Sequence, residues 1–179
     1  MYAIISELDT KSTESVKVLW LKLKDVCNLK GIYDQPTPHL SWFVAEDLEI
    51  KPSVTAVNQL TGNNCGFTTQ GFGIGFFTGV RPVLYLPLVK TQEMIDIHNQ
   101  VWDQIPGFSK QPNPYYDPSN WMPHVTLAVN DLSIENLACA LGSLVFDHIE
   151  LSISIDNMII VAYGADPNNE PLHRFRFCG

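Results

Sequence analysis

Two short segments of this chain repeat one pattern of chemically competent residues. Pro38-His39-Leu40-Ser41-Trp42-Phe43-Val44 and Pro123-His124-Val125-Thr126-Leu127-Ala128-Val129 both read proline, histidine, aliphatic, hydroxyl, then apolar residues, with the histidines 85 positions apart. An imidazole exchanges a proton near neutral pH, its unperturbed pKa being ~6.5. Two imidazoles can take a proton from an attacking oxygen and give one to a leaving oxygen, while nearby hydroxyls donate to the anion between them. In-line displacement at phosphorus requires the two proton-transfer groups on opposite sides of the reacting atom. The set therefore suits phosphodiester hydrolysis, with His39 and His124 as catalytic pair and Ser41 and Thr126 as phosphate-binding hydroxyls. A single His-x-Ser or His-x-Thr occurs often in strand ends bonded to a backbone carbonyl; the matched pair carries the reading.

Strands explain how such segments could present chemistry. Alternate residues of a strand share a face, so His39 projects with Ser41 and His124 with Thr126, while Leu40 and Val125 can enter a core. The surrounding pattern supplies the scaffold. Residues 1–8 suit a buried strand. Val16, Leu19, Trp20, Leu23, Val26 and Cys27 recur at helical spacing on a helix starting near Thr13-Glu14. Further helices are expected from Pro52 to Gly62, from Gln92 to Ile105, and from a cap at Ser133 through Leu141. Strands are expected at 39–45, within the Gly-rich stretch 65–77 as strands with a bulge, and at 83–89 and 124–129. Residues 149–155 and 158–163 read as a hairpin turning at Asp156-Asn157, and a last strand as 172–177. Residues 106–123 contain five prolines and read as a long functional loop. The class is α+β: one two-lobed domain over 1–179, pseudo-two-fold, mostly antiparallel, with sheets flanking a central cleft and helices outside.

Composition narrows the partners. Hydrophobic residues make up 45% of the 179, enough for a sizeable core, and the net charge is −8. Lys and Arg neutralisation of phosphates dominates binding to long nucleic acids, so a small phosphorylated nucleotide or an RNA end is expected, not a duplex. No apolar run approaches the ~20 residues that span a bilayer, and no secretory leader pattern is present. A cytoplasmic protein is expected, with Cys27, Cys65, Cys139 and Cys178 as reduced, mostly buried thiols.

Other residues are weighed individually. Arg81 could neutralise substrate phosphate through its planar guanidinium. Tyr115, Tyr116 and Trp121 could stack on a base or cover the core. His98, on the apolar side of its helix, reads as a packed residue; His148 and His173 read as surface or structural. No Cys, His or Asp stands near His39 or His124 at metal-ligand spacing, so no metal or cofactor is expected. Gly71-Phe72-Gly73-Ile74-Gly75 departs from a phosphate loop, lacking both G-x-G-x-x-G and a following helix.

The segments His39-Leu40-Ser41-Trp42 and His124-Val125-Thr126-Leu127 resemble the twin His-x-Ser/Thr-x signature of the two-histidine phosphoesterase superfamily, in its 2′-5′ RNA ligase-like branch. The element order fits across most of the chain, and Gly79 to Leu86 loosely resembles that family's Arg-Pro-containing strand. The resemblance implies metal-independent opening of 2′,3′-cyclic phosphates or cleavage of 2′-5′ linkages, with ATP-independent RNA ligation as the reverse type of reaction. A non-catalytic nucleotide-binding module with the same cleft is the reading from another class. Bacterial tRNA-end members tend to be more basic and often carry Arg soon after the second motif. Here Ala128, Val129 and Asn130 follow Leu127, which favours a nucleotide-sized cyclic phosphate or short oligonucleotide.

Overall fold

The computed structural model describes residues 1–34, 37–163 and 171–178. In chain order the elements are β1 (Tyr2–Glu7), α1 (Thr10–Cys27), β2 (His39–Leu48), α2 (Ile50–Asn63), β3 (Phe67–Phe72), β4 (Gly75–Phe77), β5 (Val83–Pro87), α3 (Gln92–Gln104), β6 (Ser109–Pro112), β7 (His124–Ala128), α4 (Ile134–Leu144), β8 (Glu150–Ile155), β9 (Asn157–Ala162) and β10 (His173–Arg176). The unit β-α-β-α-β-β occurs twice, as β1-α1-β2-α2-β3-β4 and β5-α3-β7-α4-β8-β9. Corresponding elements start 81 to 85 residues apart. The duplicated motif is thus the visible part of a duplicated half-molecule.

The halves interlock. The larger sheet runs β10-β9-β1-β2-β7-β5-β4, with β6 on β2, and β3 pairs β8 in a separate two-stranded sheet. β4 of the first half pairs β5 of the second, while β9 of the second pairs β1 of the first, all antiparallel. At the centre β2 meets β7 through Leu40 opposite Val125, both fully buried. The α+β, antiparallel, two-lobed architecture is as the sequence leads one to expect.

Helix ends follow local chemistry. Asp9 caps α1 by accepting from the Ser12 N–H at 3.0 Å, so the helix begins before Thr13. Asn28 ends it in the left-handed region at φ 56°. Thr91 accepts from Met94 N–H at the start of α3, and Asn136 accepts from the Ser133 N–H at the start of α4. Pro52 lies in the first turn of α2, where its missing N–H has no intrahelical partner to lose. On α1 the buried stripe is Val16, Trp20, Leu23 and Cys27; Val26 points to solvent.

Four expectations are corrected. The 149–163 region is not a hairpin: β8 pairs β3 and β9 pairs β1 and β10, so Asp156-Asn157 passes the chain between sheets. The stretch 65–77 forms strands as expected, but without a bulge: it does the same at Gly73, whose φ of +63° makes the turn from β3 in one sheet to β4 in the other. The loop 106–123 contains β6, which pairs the far end of β2 through Ala45–Pro112, Asp47–Lys110 and Leu48–Ser109. Finally, the four cysteines are not all reduced and buried. Cys27 and Cys139 form a disulfide, Cα–Cα 5.7 Å, that joins α1 to α4 across 112 residues. Cys65 is exposed, its Sγ 2.8 Å from that of Cys178. The physical reason is the packing of α1 on α4, a long-range contact that cysteine spacing does not encode. No described helix is long and apolar enough to cross a membrane.

Candidate active site

The two motif strands carry the same irregularity at the same place. Ile4 faces Phe43 and Ile5 faces Ser41, so Trp42 is the extra residue of a bulge in β2. Leu84 faces Ala128 and Tyr85 faces Thr126, so Leu127 is the extra residue in β7. A bulge re-aims the residues after it. It returns Val44 to the face of His39 and Ser41, and Val129 to the face of His124 and Thr126. All six line one open cleft of about 900 Å³. Because the Leu40–Val125 pair is antiparallel, His39 lies on the side of Thr126 and Ser41 on the side of His124. Each imidazole therefore has the other half's hydroxyl as its neighbour across the axis.

Both rings are oriented alike. His39 Nδ1 lies 2.9 Å from the Thr37 carbonyl, and His124 Nδ1 lies 2.7 Å from the Met122 carbonyl. A carbonyl only accepts, so each Nδ1 carries the proton and each Nε2 is left as the reactive nitrogen. Burial pushes both imidazoles below their ordinary pKa. For His39 the Thr37 carbonyl and the Glu7 carboxylate oppose this. For His124 the Met122 carbonyl opposes it, and the charge of His39 adds to it. Both shifts favour the neutral ring at physiological pH.

The surroundings of the two rings differ. The Tyr163 hydroxyl stands 3.4 Å from His39 Nε2, and burial and the nearby Tyr116 hold that phenol protonated. His124 is instead enclosed by Phe77 and Tyr85, at ring-centroid distances of 4.9 and 5.2 Å. Gly75 permits this arrangement: a Cβ there would come within 2.6 Å of the Tyr85 ring. The Gly-rich run thus serves a close approach.

Of the remaining candidates, Arg81 lies exposed on the β4–β5 connection and lines the cleft. Tyr115 is 79% exposed on the rim. Tyr116 also lines the cleft; burial raises its phenol pKa, and Ser41 beside it acts in the opposite sense. Trp121 touches the cleft but is only 2% exposed. Its ring stacks on His98 at 3.7 Å and on Trp42 at 5.5 Å, and its Nε1 donates to the Ser41 carbonyl at 3.1 Å. It packs behind the motif, as in the core-covering alternative of the sequence reading, while its edge still reaches the cleft. His98 is buried against Trp121, and its Nε2 donates to the Trp42 carbonyl. His148 meets Glu150 at the surface, and His173 is exposed on β10.

Tyr163, Tyr85, Phe77, Asn113 and Asn120 stand around the cleft and its histidines and carry no sequence signal of their own. Each stands outside the motifs, brought in by strand pairing or by the 106–123 strap. Among the described residues no three His, Cys, Asp or Glu side chains converge as a metal site.

The sequence matches the family model described as 2′-5′ RNA ligase superfamily over residues 13–166. No curated protein matches the sequence. Among solved structures, TT0787 of Thermus thermophilus is similar with a TM-score of 0.69 at 15% identity, covering 98% of this chain and 97% of that one. A structure described as a phosphoesterase gives a TM-score of 0.64 at 16% identity, covering 99% and 98%. Escherichia coli LigT complexed with 3′-AMP gives 0.62 at 15% identity, also covering 99% and 98%. At these identities the structures speak for the fold, whereas the family match spans most of the chain and both histidine motifs; this protein belongs to the 2′-5′ RNA ligase superfamily.

Proposed function

We propose that this protein is a metal-independent phosphoesterase that opens 2′,3′-cyclic phosphates of nucleotides or RNA ends by paired-histidine acid–base catalysis. The observation that carries this reading is the shared cleft face of His39, Ser41, His124 and Thr126 about the Leu40–Val125 pair. One Nε2 accepts a proton as water oxygen bonds to phosphorus. The other Nε2–H donates a proton to the ribose oxygen as its bond to phosphorus breaks. Ser41 and Thr126 donate to the non-bridging oxygens, where charge accumulates. The two imidazoles account for both proton transfers, and Arg81 supplies a cation at the rim. Exposed Tyr115 offers a ring face for a base. The LigT structure holds 3′-AMP, a mononucleotide with its phosphate on a ribose oxygen, which supports a ligand of that size. A 2′-5′ linkage requires the same two proton transfers and is the second substrate class to test.

The test is turnover in EDTA against 2′,3′-cyclic nucleotides and 2′-5′-linked oligoadenylates, beside His39→Ala and His124→Ala. Loss of a positioned acid or base lowers the rate by roughly 10²–10⁴, with melting temperature held. Binding of the cyclic nucleotides without turnover overturns the catalytic reading in favour of a nucleotide-binding module.

A further inference from the structure

The internal two-fold is broken at the residue facing each histidine. In the β1–β2 ladder Glu7 stands opposite His39. In the corresponding β5–β7 ladder Pro87 stands opposite His124. Residues directly opposite on antiparallel strands project to the same face with their Cβ atoms close together. One imidazole therefore has a carboxylate as its cross-strand neighbour, and the other has a ring that carries no charge.

Glu7 is held in place. Arg174 on β10 grips it through two contacts, Nη1–Oε2 at 2.5 Å and Nη2–Oε1 at 3.0 Å. Thr37 Oγ1 donates to Glu7 Oε1 at 3.2 Å, and the Thr37 carbonyl accepts from His39 Nδ1. Thr37 thus joins the carboxylate to the ring through one residue. Arg174 offsets part of the carboxylate charge and keeps it ionised.

We infer that Glu7, standing opposite His39 where the other lobe has Pro87, makes His39 the proton donor of the pair and leaves His124 as the proton acceptor. This rests on the reading of the two histidines as acid and base. Glu7 is a positioning residue, acting through His39.

The groups facing His39 are consistent with this from every side. Glu7 on β1 stabilises an imidazolium. The Tyr163 phenol, just after β9, stays protonated and adds no charge, and its oxygen can accept from Nε2–H. His124 on β7 faces it across the axis, and Arg81 on the β4–β5 connection is common to the whole cleft. Around His124 are Phe77 and Tyr85, and the charge of a protonated His39 opposes a second proton there. Interacting sites load in sequence, so the singly protonated cleft holds its proton on His39. Water then loses its proton to His124 Nε2 on the β7 side, and the leaving ribose oxygen takes the His39 Nε2 proton on the β2 side. After turnover the protons sit on the opposite rings and re-equilibrate with solvent.

The test is an NMR titration of the imidazole Cε1–H resonances, assigned with single His→Gln variants, in the parent protein, Glu7→Gln and Glu7→Asp. His39 is expected to titrate at a higher pH than His124 in the parent. In Glu7→Gln its midpoint moves down, because the imidazolium loses its carboxylate neighbour, and in Glu7→Asp the order is restored. Arg174→Gln frees Glu7 of its counter-charge and moves the His39 midpoint up, which supplies the reading should Glu7→Gln not fold. A parent in which His124 titrates above His39, or a His39 midpoint unmoved in both Glu7→Gln and Arg174→Gln, overturns the inference. The titration needs no substrate, so it stands apart from the success or failure of the turnover panel. Where a panel member is turned over, the alkaline limb of the pH–rate profile moves to lower pH in Glu7→Gln and the acid limb stays in place.

Discussion

Leu40 and Val125 oppose each other where β2 meets β7, and the two halves of the cleft are joined across that pair. Each lies one residue after a motif histidine and one before a motif hydroxyl. Their burial is therefore coupled to the spacing of the cleft face. Leu40→Ala is expected to cost about 2–5 kcal/mol of stability, the range for truncating a fully buried leucine. Because the cavity sits under the seam, turnover should also fall at temperatures where the variant is still folded. Urea denaturation and a rate assay on the same sample check both; a destabilised variant with full activity would show that the seam is not what spaces the motifs.

Tyr115 and Trp121 separate stacking from packing. Tyr115 is 79% exposed, so Tyr115→Ala should leave the melting temperature unchanged and weaken nucleotide binding by roughly 1–3 kcal/mol if its ring stacks on the base. Trp121 is buried between His98 and Trp42, so Trp121→Ala should cost about 3–5 kcal/mol of stability. Calorimetric titration with a mononucleotide beside a thermal melt distinguishes them.

His98 predicts acid sensitivity. Burial, with the Lys90 charge adding to it, outweighs the Trp42 carbonyl and lowers its pKa to about 4. The folded state thus holds His98 neutral, while the unfolded chain takes up a proton near ~6.5. The unfolded state binds more protons in this window, so stability is fully present above the unfolded value and is lost as pH falls from there through about 4. The shift corresponds to roughly 3 kcal/mol. His98→Gln should flatten the fall in unfolding free energy between pH 7 and 4, read by denaturant titrations across that range.

The Cys27–Cys139 disulfide should stabilise the fold chiefly by restricting the unfolded chain. Its sequence separation of 112 residues places it among long loops, for which the effect is about 2–5 kcal/mol. Cys27→Ser with Cys139→Ser is expected to lower the melting temperature under non-reducing conditions, and a reducing agent should bring the parent down to the same value. Peptide mapping without reduction identifies the bridge directly.

The sequence by itself determined what is local. The His-x-Ser and His-x-Thr alternation puts imidazole and hydroxyl on one face, because successive side chains of a strand point to opposite sides. Ser133 marks a helix start for the same kind of reason, its bonding partners lying within a few residues; Asp9, which caps α1 ahead of the Thr13-Glu14 start read from the sequence, became evident only in the structure. The 85-residue echo was legible, and with it the duplicated halves. Tertiary structure alone decided what depends on distant pairing. The bulges at Trp42 and Leu127 exist only against Ile4-Ile5 and Leu84-Tyr85. β8 and β9 lie in different sheets because their pairing partners, β3 for β8 and β1 and β10 for β9, come from distant parts of the chain. Tyr163 reaches His39 across 124 residues, Cys27 reaches Cys139 across 112, and Glu7 faces His39 through a ladder that no spacing within either strand reveals. Periodicity specifies which way a side chain points; only the register of one strand against another specifies what it meets.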